Sequence, residues 1–190
     1  MKCKQTIRRR DASATKAAIL GAARTLFAGA SYETVGIREI AALAGADAAL
    51  VSRYFGSKEE LFHEVLRDGK RGADLLGTEM EGLPERVAAI LMDPEDEGKS
   101  MEDILIFLHS ANSPLAGEMV RDSIMERFHG PFSEAIGGEN AMERAKLFGA
   151  MLLGISISEQ ISGAIAETPE MREKLTVRIA EILAKVIEPL

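Results

Sequence analysis

The sequence predicts an all-helical protein with a small N-terminal head and a larger C-terminal body. Apolar residues recur at helical spacing along most of the chain, and no segment shows the strict apolar and polar alternation of a half-buried strand. Helix start signals, either a capping side chain or a proline in the first turn, are frequent. Nine Met with few aromatic residues also suit helical packing.

The charge distribution separates the head from the body. The whole chain carries a net charge of −7. Residues 1–58 hold ten Lys or Arg and four Asp or Glu, whereas the remaining residues hold 13 basic and 26 acidic side chains. A basic head on an acidic body is typical of a DNA-binding domain attached to a second module. The acidic body should repel DNA and confine contact to the head.

The first twelve residues form a basic segment without periodicity, and we expect them to be disordered in the free protein. Two interpretations remain open, an arm that reaches phosphate or the minor groove and a solvated tail. The first helix should follow over residues 14–28, capped by Asp11 or Ser13 and ended near Gly29. Its apolar side is formed by Ile19, Ala22, Ala23, Leu26 and Phe27.

The stretch Thr34–Lys58 predicts two short helices joined by a tight turn. Apolar residues repeat at helical spacing from Ile37 to Ala44, and Gly45 then supplies the positive φ that a sharp turn requires. Asp47 is a good N-cap for a second helix over residues 48–54. This arrangement predicts a helix-turn-helix, whose second helix can lie in the DNA major groove.

The rest of the chain reads as helices with clear beginnings. Ser57 and Glu60 form a capping box that starts a helix from Lys58 to about Leu76. Residues 93–99 are acidic and loop-like, and Gly130-Pro131 should kink or break a helix. Further starts are predicted at Pro84, Ser100, Ser113-Pro114, Asn140 and Thr168-Pro169. We expect an arm over residues 1–12, a DNA-binding domain over 13–60 and a second, acidic domain over 61–190.

The helix that begins after Asn140 is apolar or small on almost every side, with Leu147–Ile157 as its most apolar stretch. Such a helix must be buried from several directions. It is either the central core helix of one subunit or part of a subunit interface.

The sequence predicts no catalytic residue, metal site or cofactor. The three His residues lie far apart, and no spacing typical of a zinc site, a nucleophile elbow or a phosphate-binding loop is present. Cys3 is the only cysteine, which fits a reducing cytoplasm. The longest apolar stretch is too short to span a membrane. Eight of the nine Met follow residue 79, where they suit either an adaptable apolar pocket or an ordinary helical core.

The order of elements and the residues I-R-E-I-A…A-G…V-S-R-Y-F-G-S-K-E-E-L-F resemble the tetracycline-repressor (TetR) family of bacterial transcription regulators over residues 14–66. The resemblance implies a homodimer whose last two helices pair across a twofold axis as a four-helix bundle. It also implies a pocket for a small apolar or amphipathic ligand in the body, so that residues 61–190 would form a ligand-binding and dimerisation domain. Two residues depart from the family pattern, Ser52 where Tyr is frequent and Asp47 where Ser or Thr is usual.

Seven residues are candidates for DNA contact. Ala48 and Ala49 begin the recognition helix, where small side chains let a helix sit deep in the groove, and Ser52 lies one turn further on. The remaining candidates are Thr34, predicted to cap the first helix of the motif and to contact phosphate, Arg38 for a guanine or a phosphate, and Tyr54 and Lys58 for phosphate. Arg53 is left open between DNA and the first helix.

The body has candidates for two further roles. His109, Asn112 and Arg121 are polar residues near apolar runs, and the resemblance suggests them as anchors of the ligand. The interface that the resemblance implies would contain Phe148, Leu152, Ile155, Ile179, Ile182 and Val186.

These observations favour a dimeric DNA-binding transcriptional regulator, a repressor that a small molecule releases from its operator. The alternative is a helical small-molecule-binding or catalytic protein whose N-terminal hairpin is purely structural. The basic head on an acidic body favours the regulator, because the alternative has no need of that charge distribution.

Overall fold

The computed structural model describes residues 3–69, 79–93 and 97–189, with side chains described except at residues 3–11, 97–101 and 160. All regular structure in these residues is helical, which confirms the predicted fold class. The helices are α1 (Cys3–Gly29), α2 (Ile37–Leu43), α3 (Ala48–Phe55), α4 (Lys58–Asp68), α5 (Leu83–Leu91), α6 (Glu97–Ser110), α7 (Ala116–Ile124), α8 (Gly130–Ile136), α9 (Ala141–Ser162) and α10 (Pro169–Ile187). A single π-helical turn, Met125–His129, joins α7 to α8.

The chain forms two compact units. One contains Met1–Gly69 and Leu105–Val120, and the other contains Lys70–Ile104 and Arg121–Leu190. All of α4 and the segment around the α6–α7 turn therefore belong with the helix-turn-helix, although the sequence assigned residues 61–190 to the body. The predicted functional division at residue 60 stays a prediction.

Some helix limits differ from those predicted. α1 begins at Cys3, so the backbone of the segment expected to be disordered is helical, because its Lys, Gln and Arg residues favour helix and no Gly or Pro interrupts them. α6 begins at Glu97 rather than near Ser100, since an acidic residue is favourable at a helix N-terminus. The predicted continuation of α4 to Leu76 lies outside the described residues.

An aromatic cluster forms the core of the first unit. The ring of Phe62 in α4 meets the edges or faces of Phe27 and Tyr32, with ring centroids 4.8 and 5.1 Å away. Arg24 of α1 donates a hydrogen bond to the carbonyl of Val65 at 3.2 Å, close to the C-terminal end of α4. α1 and α4 are thus fixed to each other, and α2 and α3 pack against them.

The second unit has a separate apolar core built from α5, α8, α9 and α10. It contains Leu83, Val87, Ala88, Met92, Phe132, Ala145, Phe148, Leu152, Ala166, Ile179, Ala180 and Leu183. Arg144 is buried beside it, and its guanidinium donates to the carbonyls of Gly137, Glu139 and Ile187. These carbonyls include groups at the C-terminal ends of α8 and α10, where a cation is electrostatically favoured.

The predicted break at Gly130-Pro131 takes the form of the π-helical turn. The N–H of Gly130 bonds to the carbonyl of Met125. A Cβ on Gly130 would lie 2.9 Å from that same carbonyl oxygen, so the turn requires glycine there. The turn directs Phe128 and His129 onto Gly149 of α9, where burial, with a smaller effect of Lys146, lowers the pKa of His129.

Gly149→Ala should destabilise the protein by about 1–3 kcal/mol, because the new Cβ would stand 2.9 Å from Cε1 of Phe128 and 3.0 Å from Nε2 of His129. Gly21→Ala is the matched control. It also adds a methyl group to a helix interior, but it meets no atom within 4 Å and should be neutral or stabilising by about 0.5–1 kcal/mol. Denaturant unfolding of both variants measures the difference, and equal effects would contradict the close approach of the π-helical turn.

Candidate nucleic-acid interface

The predicted helix-turn-helix is present over α2 and α3. Gly45 has φ of +61°, as its position in the turn requires, and the N–H of Ala46 closes the turn on the carbonyl of Ala41 at 2.9 Å. Asp47 is the N-cap of α3, and its Oδ1 accepts a hydrogen bond from the N–H of Ala49 at 2.7 Å. Both local signals in the sequence therefore produce the expected backbone.

The two sides of α3 have different environments. Val51 and Phe55 are buried and attach the helix to the first unit. Ala49, Ser52 and Arg53 are exposed, and they share the opposite side because they are spaced three and four residues apart. Ala48 and Tyr54 are half-buried at the edges of this side, and Arg38 of α2 is exposed. α3 consequently presents two small side chains and one arginine where a recognition helix would meet DNA.

Thr34 does not cap α2, contrary to the prediction. The N-cap is Gly36, whose N–H faces Oε2 of Glu39 at 3.4 Å. The hydroxyl of Thr34 instead donates to the carbonyl of Ser31 at 2.9 Å, which closes a local turn. Thr34 stays exposed beside the N-terminus of α2. Because the hydroxyl of Thr34 is engaged with the preceding turn, it does not cap the helix that follows.

Lys58 begins α4 as predicted, with Ser57 as the N-cap accepting from the N–H of Glu60 at 3.0 Å. Its ammonium group, however, is turned toward the α1–α2 loop. Nζ donates to the carbonyl of Tyr32 and lies 4.3 Å from the centroid of the Tyr32 ring. Burial lowers the pKa of Lys58, and the carboxylate of Glu33 opposes this shift. Lys58 is thus a structural tie as well as a candidate phosphate ligand.

Sequence reasoning missed Tyr32 and Glu33, which shape the loop before α2. Tyr32 is buried, and its pKa is raised by burial and by the negative charges of Glu59 and Glu33. Glu33 is exposed, and its carboxylate accepts a hydrogen bond from the hydroxyl of Ser113 in the α6–α7 turn. A large aromatic residue between two helices is the one signal that pointed to an anchored loop.

The three candidate ligand anchors lie at the surface. His109 at the end of α6, Asn112 in the α6–α7 turn and Arg121 in α7 are all exposed. None of them lines the open groove of about 620 Å³ that α9 and α10 form on the second unit. Their assignment as ligand anchors therefore gains no support from the described residues.

The candidate interface residues divide into two groups. Phe148, Leu152 and Ile179 belong to the core of their own subunit, with 0%, 8% and 9% of their surface exposed, so their own subunit already covers most of each side chain and their place in an interface stays a prediction. Ile155 and Val186 are half-buried, and Ile182 is exposed. The helix is apolar all round, so the sequence could not show which side faces inward. The exposed apolar residues of α9 and α10 are Leu147, Leu153, Ile161, Met171, Val177 and Ile182.

Among the described residues, we find neither a membrane-spanning helix nor a group of metal-binding side chains. No helix there has the length and apolar character needed to cross a membrane. In the same part of the chain, no three His, Cys, Asp or Glu side chains form a group that could hold a metal ion.

A helix-turn-helix with an exposed recognition surface, carried on a larger helical body, defines the class of helix-turn-helix DNA-binding proteins. Residues 19–65 match the family described as bacterial regulatory proteins, tetR family. Residues 81–187 match the tetracyclin repressor-like C-terminal domain. The chain belongs to the TetR family and is a DNA-binding transcriptional regulator.

Solved structures with the same fold include several bacterial regulators. A transcriptional regulator from Rhodococcus sp. RHA1 is 25% identical, with a TM-score of 0.62 and 92% of this chain and 99% of that chain covered. A TetR-family regulator from Mesorhizobium loti is 23% identical, with a TM-score of 0.59 and coverage of 92% and 97%. NalD of Pseudomonas aeruginosa, the secondary repressor of the MexAB-OprM multidrug efflux pump, is 16% identical, with a TM-score of 0.67 and coverage of 90% and 95%. No curated protein matches this chain significantly.

Proposed function

We propose that this protein is a dimeric repressor that binds a specific operator and leaves it when a small molecule binds the body. The exposed side of α3 carries the proposal, because Ala49, Ser52 and Arg53 make α3 a surface free to enter a major groove. A purely structural hairpin would gain nothing from leaving this side uncovered. Operator DNA in a bacterium lies in the cytoplasm, so the proposal includes that location and assigns the body binding rather than catalysis.

The candidate DNA residues fall into two functional groups within this proposal. Arg38, Ala48, Ala49 and Ser52 would face base edges, where direct contacts carry sequence information. Thr34, Tyr54 and Lys58 would lie along phosphates, where contacts position the protein without reading the sequence. Asp47 places a carboxylate at the start of the recognition helix, where it would repel phosphates, but it accepts a hydrogen bond from the N–H of Ala49 and thereby stabilises α3.

Purified protein should select promoter fragments from genomic DNA, and fluorescence anisotropy should show affinity that falls steeply with salt, because phosphate contacts release counterions. If Arg38 contacts a guanine, Arg38→Ala should weaken binding to the operator by about 1–3 kcal/mol and weaken binding to random DNA much less. Deletion of residues 1–10 should weaken binding to both operator and random DNA, and it should make the affinity fall less steeply with salt concentration. Absence of any salt-dependent DNA binding would favour the structural hairpin instead.

The second copy in the proposed dimer would cover the outer side of α9 and α10. Leu147 and Ile182 are exposed there, at the groove that also contains Glu143, Arg178, Glu181 and Lys185. Apolar residues surrounded by charges of both signs are typical of the centre and rim of an interface. Gly154 adds to this surface, because among the described residues no atom beyond its chain neighbours and the nearby backbone of α9 lies within 4 Å of the position of its Cβ.

Two substitutions distinguish the interface from the core. Ile182→Glu should produce a folded monomer, because it places a charge on the proposed interface while Ile182 is 42% exposed in the subunit. Leu152→Glu should unfold the protein, because it buries an unpaired charge in the core. Leu115→Glu, at 43% exposure in the α6–α7 turn, is the control and should leave the dimer intact. Light scattering and circular dichroism provide the readouts, and a monomeric unmodified protein at micromolar concentration would refute the dimer.

The proposed ligand is a small apolar or amphipathic molecule bound by the helical body. A thermal-shift screen with compounds of this kind should find stabilisers, because binding to the native state alone raises its stability. The same compounds should release the protein from its operator in the anisotropy assay. Stabilisers that leave operator affinity unchanged would contradict control of DNA binding by the ligand, since a ligand acts only through its differential affinity for two states.

A further inference from the structure

We propose that Ser113 and Glu33, which lie outside the helix-turn-helix, are positioning residues for DNA binding. Their hydrogen bond joins the loop before α2 to the α6–α7 turn, across a separation of 80 residues in the sequence. The proposal rests on the DNA-binding function above. It identifies one contact by which the α6–α7 turn fixes the loop between α1 and α2.

The loop between α1 and α2 is held by buried side chains and by a hydrogen bond from Lys58. Tyr32 and Val35 are buried, and the ring of Tyr32 stacks on Phe27 at a centroid distance of 5.8 Å. Lys58 holds the carbonyl of Tyr32. Glu33 lies between the two buried residues and points outward, so its carboxylate is the group through which a neighbouring element can hold the loop from the outside.

The hydroxyl of Ser113 supplies that outside contact and has a fixed direction. Its oxygen accepts a hydrogen bond from the N–H of Ala116 at 3.0 Å, in the first turn of α7. Its proton is therefore free to go to the carboxylate of Glu33. Ser113 is buried, and its own N–H bonds to the carbonyl of Ser110 at 3.0 Å. Its hydroxyl cannot turn away from Glu33 without losing the bond from the N–H of Ala116.

Electrostatics favours the same arrangement. The N-terminus of a helix carries a partial positive charge, and the carboxylate of Glu33 reaches the start of α7 through Ser113. The hydrogen bond from Ser113 and, more weakly, the charge of Lys58 lower the pKa of Glu33. Glu33 is thus an anion held between the beginnings of α4 and α7, and it transmits the placement of both to Thr34 and the N-terminus of α2.

A double-mutant cycle on operator affinity tests the proposal in the full-length protein. Glu33→Ala and Ser113→Ala should each weaken operator binding by about three- to tenfold, and the double variant should be no weaker than either single variant. Glu33→Gln keeps an oxygen for the Ser113 hydroxyl and should bind within about twofold of the unmodified protein. Ser113→Asp still caps α7, but it cannot donate to Glu33 and places a second carboxylate beside it, so it should bind the operator at least as weakly as Ser113→Ala.

Matched controls separate positioning from loss of stability. Thr168→Ala removes the corresponding cap from α10, where the hydroxyl accepts from the N–H of Met171 at 3.2 Å, and it should leave operator affinity unchanged. Additive effects of the two alanine variants, or affinity unchanged by Glu33→Ala, would overturn the proposal. So would Ser113→Asp binding as well as the unmodified protein. Failure of the unmodified protein to bind DNA would instead refute the proposed function.

Discussion

The aromatic contact between Phe27, Tyr32 and Phe62 determines where the DNA-binding motif can lie. Phe27 lies in the last turn of α1, Tyr32 belongs to the loop that leads into α2, and Phe62 lies in the first turns of α4. Three segments that are separate in sequence are therefore fixed to one another before α2 begins. Lys58 reinforces the cluster by placing its ammonium group over the Tyr32 ring, a favourable cation–π geometry. The placement of α3 depends on this cluster, because α2 continues directly from the anchored loop.

Features set by a few neighbouring residues were predictable from the sequence. The positive φ of Gly45, the capping of α3 by Asp47 and the start of α4 after Ser57 all depend on groups within three residues of one another. The exposure of Ala49 and Ser52 also followed from helical spacing, since Val51 and Phe55 had to face inward. Local chemistry leaves few alternatives at such positions.

Features that depend on distant partners were not predictable. Thr34 looked like a cap, yet its hydroxyl had a competing acceptor in the carbonyl of Ser31. α9 is apolar on nearly every side, so its sequence could not reveal that Phe148 and Leu152 face the subunit core while Leu147 faces outward. The bond between Glu33 and Ser113 had no sequence signal, because each residue alone looks like an ordinary surface or capping residue.

The division of α3 into a buried and an exposed side affects how this regulator can change its target. Stability depends on Val51, Phe55 and the capping bond from Asp47 to a backbone N–H, and that bond is independent of the side chain at residue 49. Ala49, Ser52 and Arg53 are exposed, so substitutions at these positions should change the free energy of unfolding little. If α3 reads the operator as proposed, new operator preferences are accessible to evolution, or to a laboratory library, by single substitutions that each leave a folded protein.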